Sequence, residues 1–124
     1  MLADSPITPL LGTVKPEAAK AFYSDTLGLK FVTDDGYALV FEGKNTRVRV
    51  SRVPGVAPAG YAVLAFTVDD IAAAVDARAA KGVVFARFGF FVQDQRGVWT
   101  APDGTKVAWF HDPDMNLLSI VQHV

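Results

Sequence analysis

The sequence predicts an α+β protein built from two βαβββ modules, whose curved mixed sheets pair around a cleft. Three observations carry this. Residues 54 positions apart match in role through Leu10/Leu64, Val14/Val68, Ala18/Ala72, Ala19/Ala73, Gly28/Gly82 and Phe31/Phe85. In each half an apolar stretch runs into helical periodicity and then a glycine. Turn-forming pairs separate the later apolar runs.

The first strand is expected over Ile7 to Val14. A helix follows, with Pro16 at N1, Glu17 at its positive end, Ala18, Ala19, Phe22 and Leu27 along the buried stripe, and Gly28 as C-cap. Strands Lys30 to Thr33, Tyr37 to Glu42 and Arg47 to Arg52 complete the module. In the second half, strand Tyr61 to Val68 precedes a helix from Asp70 to Lys81, capped by Asp69 and stopped by Gly82. Apolar runs then fall at Val83 to Arg87, Gly97 to Thr100, Lys106 to Phe110 and Leu117 to Gln122. The modules span about 5–53 and 60–124, joined by a linker over 53–60 with two prolines and two glycines, within a single domain 1–124. Beyond Phe85 the 54-residue offset fails, because the second half carries extra length near Phe88 to Arg96. Asp35-Gly36, Asp103-Gly104 and Asp112-Pro113-Asp114 read as turns.

Composition narrows the function. A chain of 124 residues can bury a substantial core, and its net charge of -1 gives no basic excess for phosphates, so nucleic acid is not an expected partner. With no cysteine there is no disulfide framework or thiol chemistry, which suits a reducing, cytoplasmic setting. Met1 to Leu11 lacks the basic region of a signal peptide, and Val53 to Val68, the longest uncharged run, is too short and too broken by proline and glycine to span a bilayer.

One helix covers only one face of a sheet, so strand alternation sorts the side chains. With Leu10, Val14, Val48, Val50, Leu64, Phe66, Val68, Leu118 and Ile120 facing the helices, the pocket face receives Pro9, Leu11, Arg47, Arg49, Tyr61, Val63, Ala65, Leu117, Ser119 and Val121. That set is mostly apolar with a few polar handles, the make-up of a small-molecule pocket. Arg49 is the expected anchor for a carboxylate, phosphate or phenolate, although arginines on an alternating strand also serve as a solvated face. Phe88, Phe90, Phe91, Trp99, Trp109 and Phe110 crowd the second half. Phe90 and Trp99 are the preferred ring contacts for a planar ligand, with Gln93 and Gln95 as loop donors, against the simpler role of core packing.

Phe22-Tyr23-Ser24-Asp25-Thr26-Leu27-Gly28-Leu29 resembles the first-helix signature of the vicinal oxygen chelate superfamily, and Phe110-His111-Asp112-Pro113-Asp114-Met115-Asn116 resembles its final turn. That group includes glyoxalase I, extradiol dioxygenases, fosfomycin-resistance enzymes and bleomycin-resistance proteins, and the likeness runs from about Ile7 to Gln122. It implies a glyoxalase/bleomycin-resistance-like fold, a homodimer, and a divalent metal held by His, Gln or Glu on strands one, four, five and eight. The matching positions are Pro9, Arg49, Val63 and Ser119, none suited to an ordinary metal site. Met115 replaces a usual glycine, and Lys15 a usual acidic cap. His111, in a turn, and His123, near the C-terminus, are expected away from the pocket.

The function expected is capture of a planar or partly anionic small molecule, without metal or other cofactor, as in the drug-sequestering members. Contacts are expected from Arg47, Arg49, Tyr61, Val63, Phe90, Trp99 and Ser119. Alternatives are a lyase, isomerase or dioxygenase working without metal or at a displaced site, with Tyr61 or Asp94 moving protons, and a module that serves mainly for interaction.

Overall fold

A computed structural model describes residues 1–124, which divide into two compact units, Met1–Ala57 and Pro58–Val124. The first holds strands β1 (Leu10–Thr13), β2 (Lys30–Asp34), β3 (Ala38–Gly43) and β4 (Thr46–Arg52), with helix α1 (Pro16–Ala21) after β1. The second holds β5 (Leu64–Thr67), helix α2 (Ile71–Ala79), β6 (Trp99–Thr100), β7 (Lys106–His111) and β8 (Leu117–Gln122). Each unit carries one four-stranded mixed sheet, in the orders β1-β4-β3-β2 and β5-β8-β7-β6, and in each the strand before the helix runs parallel to the last strand. The α+β class and the twice-used plan are therefore as expected. No helix is long and apolar enough to cross a membrane.

In the first unit α1 is shorter than its periodicity suggested. Phe22–Thr26 continues as a wider π-type turn that ends at Gly28, whose φ of 79° is open to glycine without cost. The wide turn aims Tyr23 inward, where its ring lies 5.4 Å from Phe41, and Phe31 meets Phe41 at 5.8 Å. Tyr23, Phe41, Ala19, Leu39, Val48 and Val50 form the core. Lys15 makes no side-chain cap for α1; the Oγ1 of buried Thr13 instead accepts the Lys15 N–H at 2.9 Å.

The first strand overturns the face assignment. Leu11, 7% exposed, is the buried residue and Leu10, 70% exposed, is not; Val14 is also exposed. Leu10 pairs with Arg49 and Leu11 with Val50, so the helix side takes Leu11 and Thr13. In β5 the helix side takes Leu64 and Phe66, alongside Leu118 and Ile120. The 54-residue match thus preserves the order of elements but slips by one in the strand, and a one-residue slip exchanges the two faces.

In the second unit Asp70, not Asp69, caps α2, its carboxylate accepting from Ala73 N–H at 3.1 Å. The first free donor of that helix, Ile71 N–H, is accepted by Gln122 Oε1 at 2.9 Å, which pins α2 to the end of β8. Tyr61 to Val63 precede β5 rather than opening it. Val83 to Arg87 forms no strand: Ala86 N–H reaches Trp109 carbonyl at 2.8 Å, but no ladder follows, and the second strand of this module is Trp99–Thr100.

The turn between β7 and β8 is organised by Asp112, only 3% exposed. Its Oδ1 accepts from the N–H groups of Asp114 and Asn116, both at 2.9 Å, and its Oδ2 from Asn116 Nδ2 at 2.8 Å. Met115 sits in this turn at φ 67° with its side chain exposed. A left-handed non-glycine residue costs about 1–2 kcal/mol, against about 0.5–1 kcal/mol of extra unfolded-state entropy for glycine. Met115→Gly is accordingly expected to stabilise the protein by about 0.5–1 kcal/mol, read as a higher thermal midpoint; an unchanged or lower midpoint would contradict it.

Candidate functional site

In the second unit, cross-strand register defines the sheet face opposite α2. Ala65, Ser119 and Trp109 form one row, Thr67, Val121, Val107 and Trp99 the next, and Leu117 with His111 a third, which Val63 joins through its N–H to Leu117 carbonyl at 2.9 Å. Ala108 and Phe110 point the other way, into the core against Phe85. The far face is therefore apolar, with Thr67, Ser119 and His111 as its polar groups.

Onto this face fold the rings of the long connection after α2. Phe91 lies parallel to Trp109 at an interplanar angle of 3° and a centroid distance of 5.0 Å, and it stands 4.5 Å from Trp99. Phe88 meets Trp109 edge-on at 5.4 Å and stacks with Phe90 at 5.7 Å, and Phe90 is 4.6 Å from Phe91. These five rings make one continuous cluster, ending in Phe90 at 79% exposure. A cluster of aromatic rings that stays open at one end offers flat, polarisable surface to a flat ligand.

Side chains hold that connection in place. Gln93 Oε1 accepts from Phe88 N–H at 2.8 Å, while its Nε2 donates to the carbonyls of Ala86 and Gly97 at 2.9 and 2.8 Å. Gln93 is thus a latch for the ring-bearing loop and not a free donor. Arg87 Nη2 donates to the carbonyls of Asp94 and Gln95, both at 2.8 Å. The Asp94 carboxylate accepts from Arg96 and Val98 N–H, so this loop aspartate is occupied with shaping the turn. Arg96 forks onto Asp76 of α2 at 2.9 and 3.1 Å, and that guanidinium holds the Asp76 carboxyl below its ordinary value.

The arginines of the first unit lie where alternation put them, on the face away from Val48 and Val50, but each has a carboxylate partner. Arg49 Nη2 donates to Asp35 Oδ2 at 2.9 Å, and Arg47 Nε to Glu42 Oε2 at 3.1 Å. Asp35 is held below its usual range by the N–H groups of Ala38 and Tyr37 and then by Arg49. Arg47 and Glu42 border a groove of about 430 Å³ that also takes in Pro6, Ile7 and Thr8. Pro9 shares the parity of Leu11, which turns it toward the helix side, and its carbonyl accepts from Arg49 N–H at 3.0 Å. Tyr61 is exposed ahead of β5, Val63 is partly exposed on the far face, and Ser119 is 3% exposed beneath the same face.

At the sheet edge of the first unit, Arg52 grips Asp34 with two bonds of 2.6 Å, and this fork, with Gly36 N–H, lowers the Asp34 pKa from 3.8 to about 2. A carboxylate held below its unfolded value contributes stability that is fully present above the unfolded pKa and is lost as pH falls through the folded one. Both groups are exposed to water, so the contribution is modest. Thermal midpoints of Asp34→Asn should fall less steeply than those of the parent between pH 3.8 and about 2; parallel curves would refute this.

These features match one family. The model of the Glyoxalase/Bleomycin resistance protein/Dioxygenase superfamily matches residues 8–120. The chain belongs to this superfamily. Among solved structures, TnmS3, an antibiotic binding protein from Streptomyces sp. CB03234, is 22% identical with a TM-score of 0.76, covering 100% of this chain and 99% of that one. A superfamily member from Sphaerobacter thermophilus DSM 20745 is 21% identical with a TM-score of 0.76, covering 99% and 100%. A lactoylglutathione lyase from Agrobacterium tumefaciens is 18% identical with a TM-score of 0.71, covering 96% and 93%. No curated protein matches the sequence. At these identities the structural likeness speaks to fold.

The residues present do not fit the divalent metal that the superfamily implies. No group of three or more His, Asp or Glu side chains converges anywhere in the chain. Pro9 and Val63 have no side-chain donor, Arg49 is a cation already paired with Asp35, and Ser119 is a weak neutral ligand.

The sequence expectation named Phe90 and Trp99 as ring contacts; in the structure both belong to a cluster whose central pair is Phe91 on Trp109. It also put His111 off the pocket face. His111 closes β7 at the same parity as Trp109, so it lies on that face. The signal was available: with Ala108 and Phe110 buried, period two carries Val107, Trp109 and His111 to the other side.

Proposed function

We propose that this protein binds a planar, largely apolar small molecule on the ring cluster of its second unit, without a divalent metal and without turnover. The observation that carries this is the parallel Phe91–Trp109 stack continued by Trp99 and by exposed Phe90. A flat guest can extend such a stack, burying its faces while a preformed loop spares the cost of ordering the rings. Trp99, Phe90 and Val63 are assigned as contacts, with Trp109 and Phe91 as the floor and Ser119 beneath them. Arg47 and Arg49 carry charges already compensated within their own unit, which favours a neutral guest over an anion.

The enzyme alternative needs a proton-transferring group. Asp94 is committed to its turn, and Tyr61 is an exposed phenol on a connecting segment. Likeness to both an antibiotic binding protein and a lyase is compatible with either activity, and the chemistry of the face supports binding. We extend the proposal to a cytoplasmic homodimer. The cysteine-free composition motivates the location, and the exposed apolar side chains of Leu10 in edge strand β1 and of Val14 just after it motivate the dimer.

Equilibrium dialysis against naphthalene, with metal analysis of the same preparation, tests the central claim. Saturable binding at one site per chain with no stoichiometric divalent ion is expected. Absence of saturable binding, or a retained equivalent of metal, would overturn it.

A further inference from the structure

We propose that His111 selects the ligand, favouring a planar aromatic that carries a hydroxyl or similar oxygen substituent at its edge over the bare hydrocarbon. This rests on the ring cluster being the binding site. His111 lies two residues beyond Trp109 on the same face of β7, so its imidazole borders the floor of the stack. It is half-buried, and no hydrogen bond, ion pair or ring contact within the chain engages its side chain. Its cross-strand partner is Leu117, and Val63 lies beyond in the same row, so its neighbours there are apolar.

The other polar groups of this face are placed differently. Ser119 stands directly opposite Trp109 but is 3% exposed, so its hydroxyl lies beneath the surface a guest would touch. Thr67 belongs to the row of Val121, at the other end of the sheet from His111. A neutral imidazole offers one N–H donor and one acceptor nitrogen, which matches a phenolic hydroxyl acting in either sense. A half-buried imidazole with no internal partner gives its hydrogen bond to an arriving ligand without breaking one inside the protein. Such a bond contributes about 0.5–1.5 kcal/mol net, which is roughly two- to tenfold in affinity.

The test compares 2-naphthol with naphthalene by equilibrium dialysis on the full chain, using the parent, His111→Leu and His111→Gln. The quantity read is the ratio of the two affinities, since taking that ratio across variants cancels the difference in the probes' own hydration. His111→Leu is expected to lower the affinity ratio in favour of 2-naphthol by roughly two- to tenfold, and His111→Gln, which keeps a donor and an acceptor, to recover part of it. If naphthalene binds and the ratio is the same in all three proteins, the role of His111 is overturned and the ring-cluster site stands. If the parent binds neither probe, both fall.

Discussion

Asp112→Ala is expected to lower stability by about 3 kcal/mol, a large fraction of the roughly 5–15 kcal/mol that holds a domain together. The carboxylate is 3% exposed and receives three hydrogen bonds, from the N–H groups of Asp114 and Asn116 and from Asn116 Nδ2. Alanine strands those donors in a buried turn that water reaches poorly, and each unsatisfied donor costs about 1–3 kcal/mol before relaxation. Asp112→Asn keeps one oxygen acceptor and should lose about half as much. Chemical denaturation of the three proteins is the measurement. A loss under about 1 kcal/mol for alanine would mean that the turn re-forms without its central acceptor. The consequence reaches function, because this turn joins β7 to β8 and sets the register that places Trp109 opposite Ser119.

Trp109→Leu is expected to weaken binding of naphthalene by about tenfold to a hundredfold, with a smaller loss of stability. Trp109 is the ring that Phe91, Phe88 and Trp99 all meet, so its removal takes away the floor of the cluster and loosens three neighbours. Aromatic pairs contribute about 0.5–1.5 kcal/mol each beyond the area they bury, and every 1.4 kcal/mol is tenfold in affinity. Leucine keeps apolar volume at a half-buried position, which limits the cost to folding. Dialysis gives the affinity and circular dichroism shows whether the sheet persists. Unchanged affinity in a folded variant would place the ligand elsewhere.

The sequence by itself determined the plan of the chain. Strand, helix and glycine recur because each element obeys local rules: Pro16 opens α1, Gly28 and Gly82 accept φ values of 79° and 93°, and the alternating apolar residues of β4 face one way. Those rules act over a few residues, so they are legible in one dimension. The donor chemistry of single side chains was also legible, since proline and valine have no side-chain lone pair wherever they sit.

What only the tertiary structure decided depends on register and on distant partners. Whether Leu10 or Leu11 faces the helix turns on a one-residue shift that leaves both candidates apolar; pairing of Leu11 with Val50 settled it. Arg49 looked like a free cation until the turn after β2 brought Asp35 to it, fourteen positions back in the chain. Gln93 looked like a ligand donor until the loop folded over it and used both ends of its amide. The rings were visible as a crowded composition, but their stacking geometry arises from a loop closing on a strand. Composition records which side chains are present; only long-range closure decides which of their bonding groups are already taken, and so which remain for a ligand.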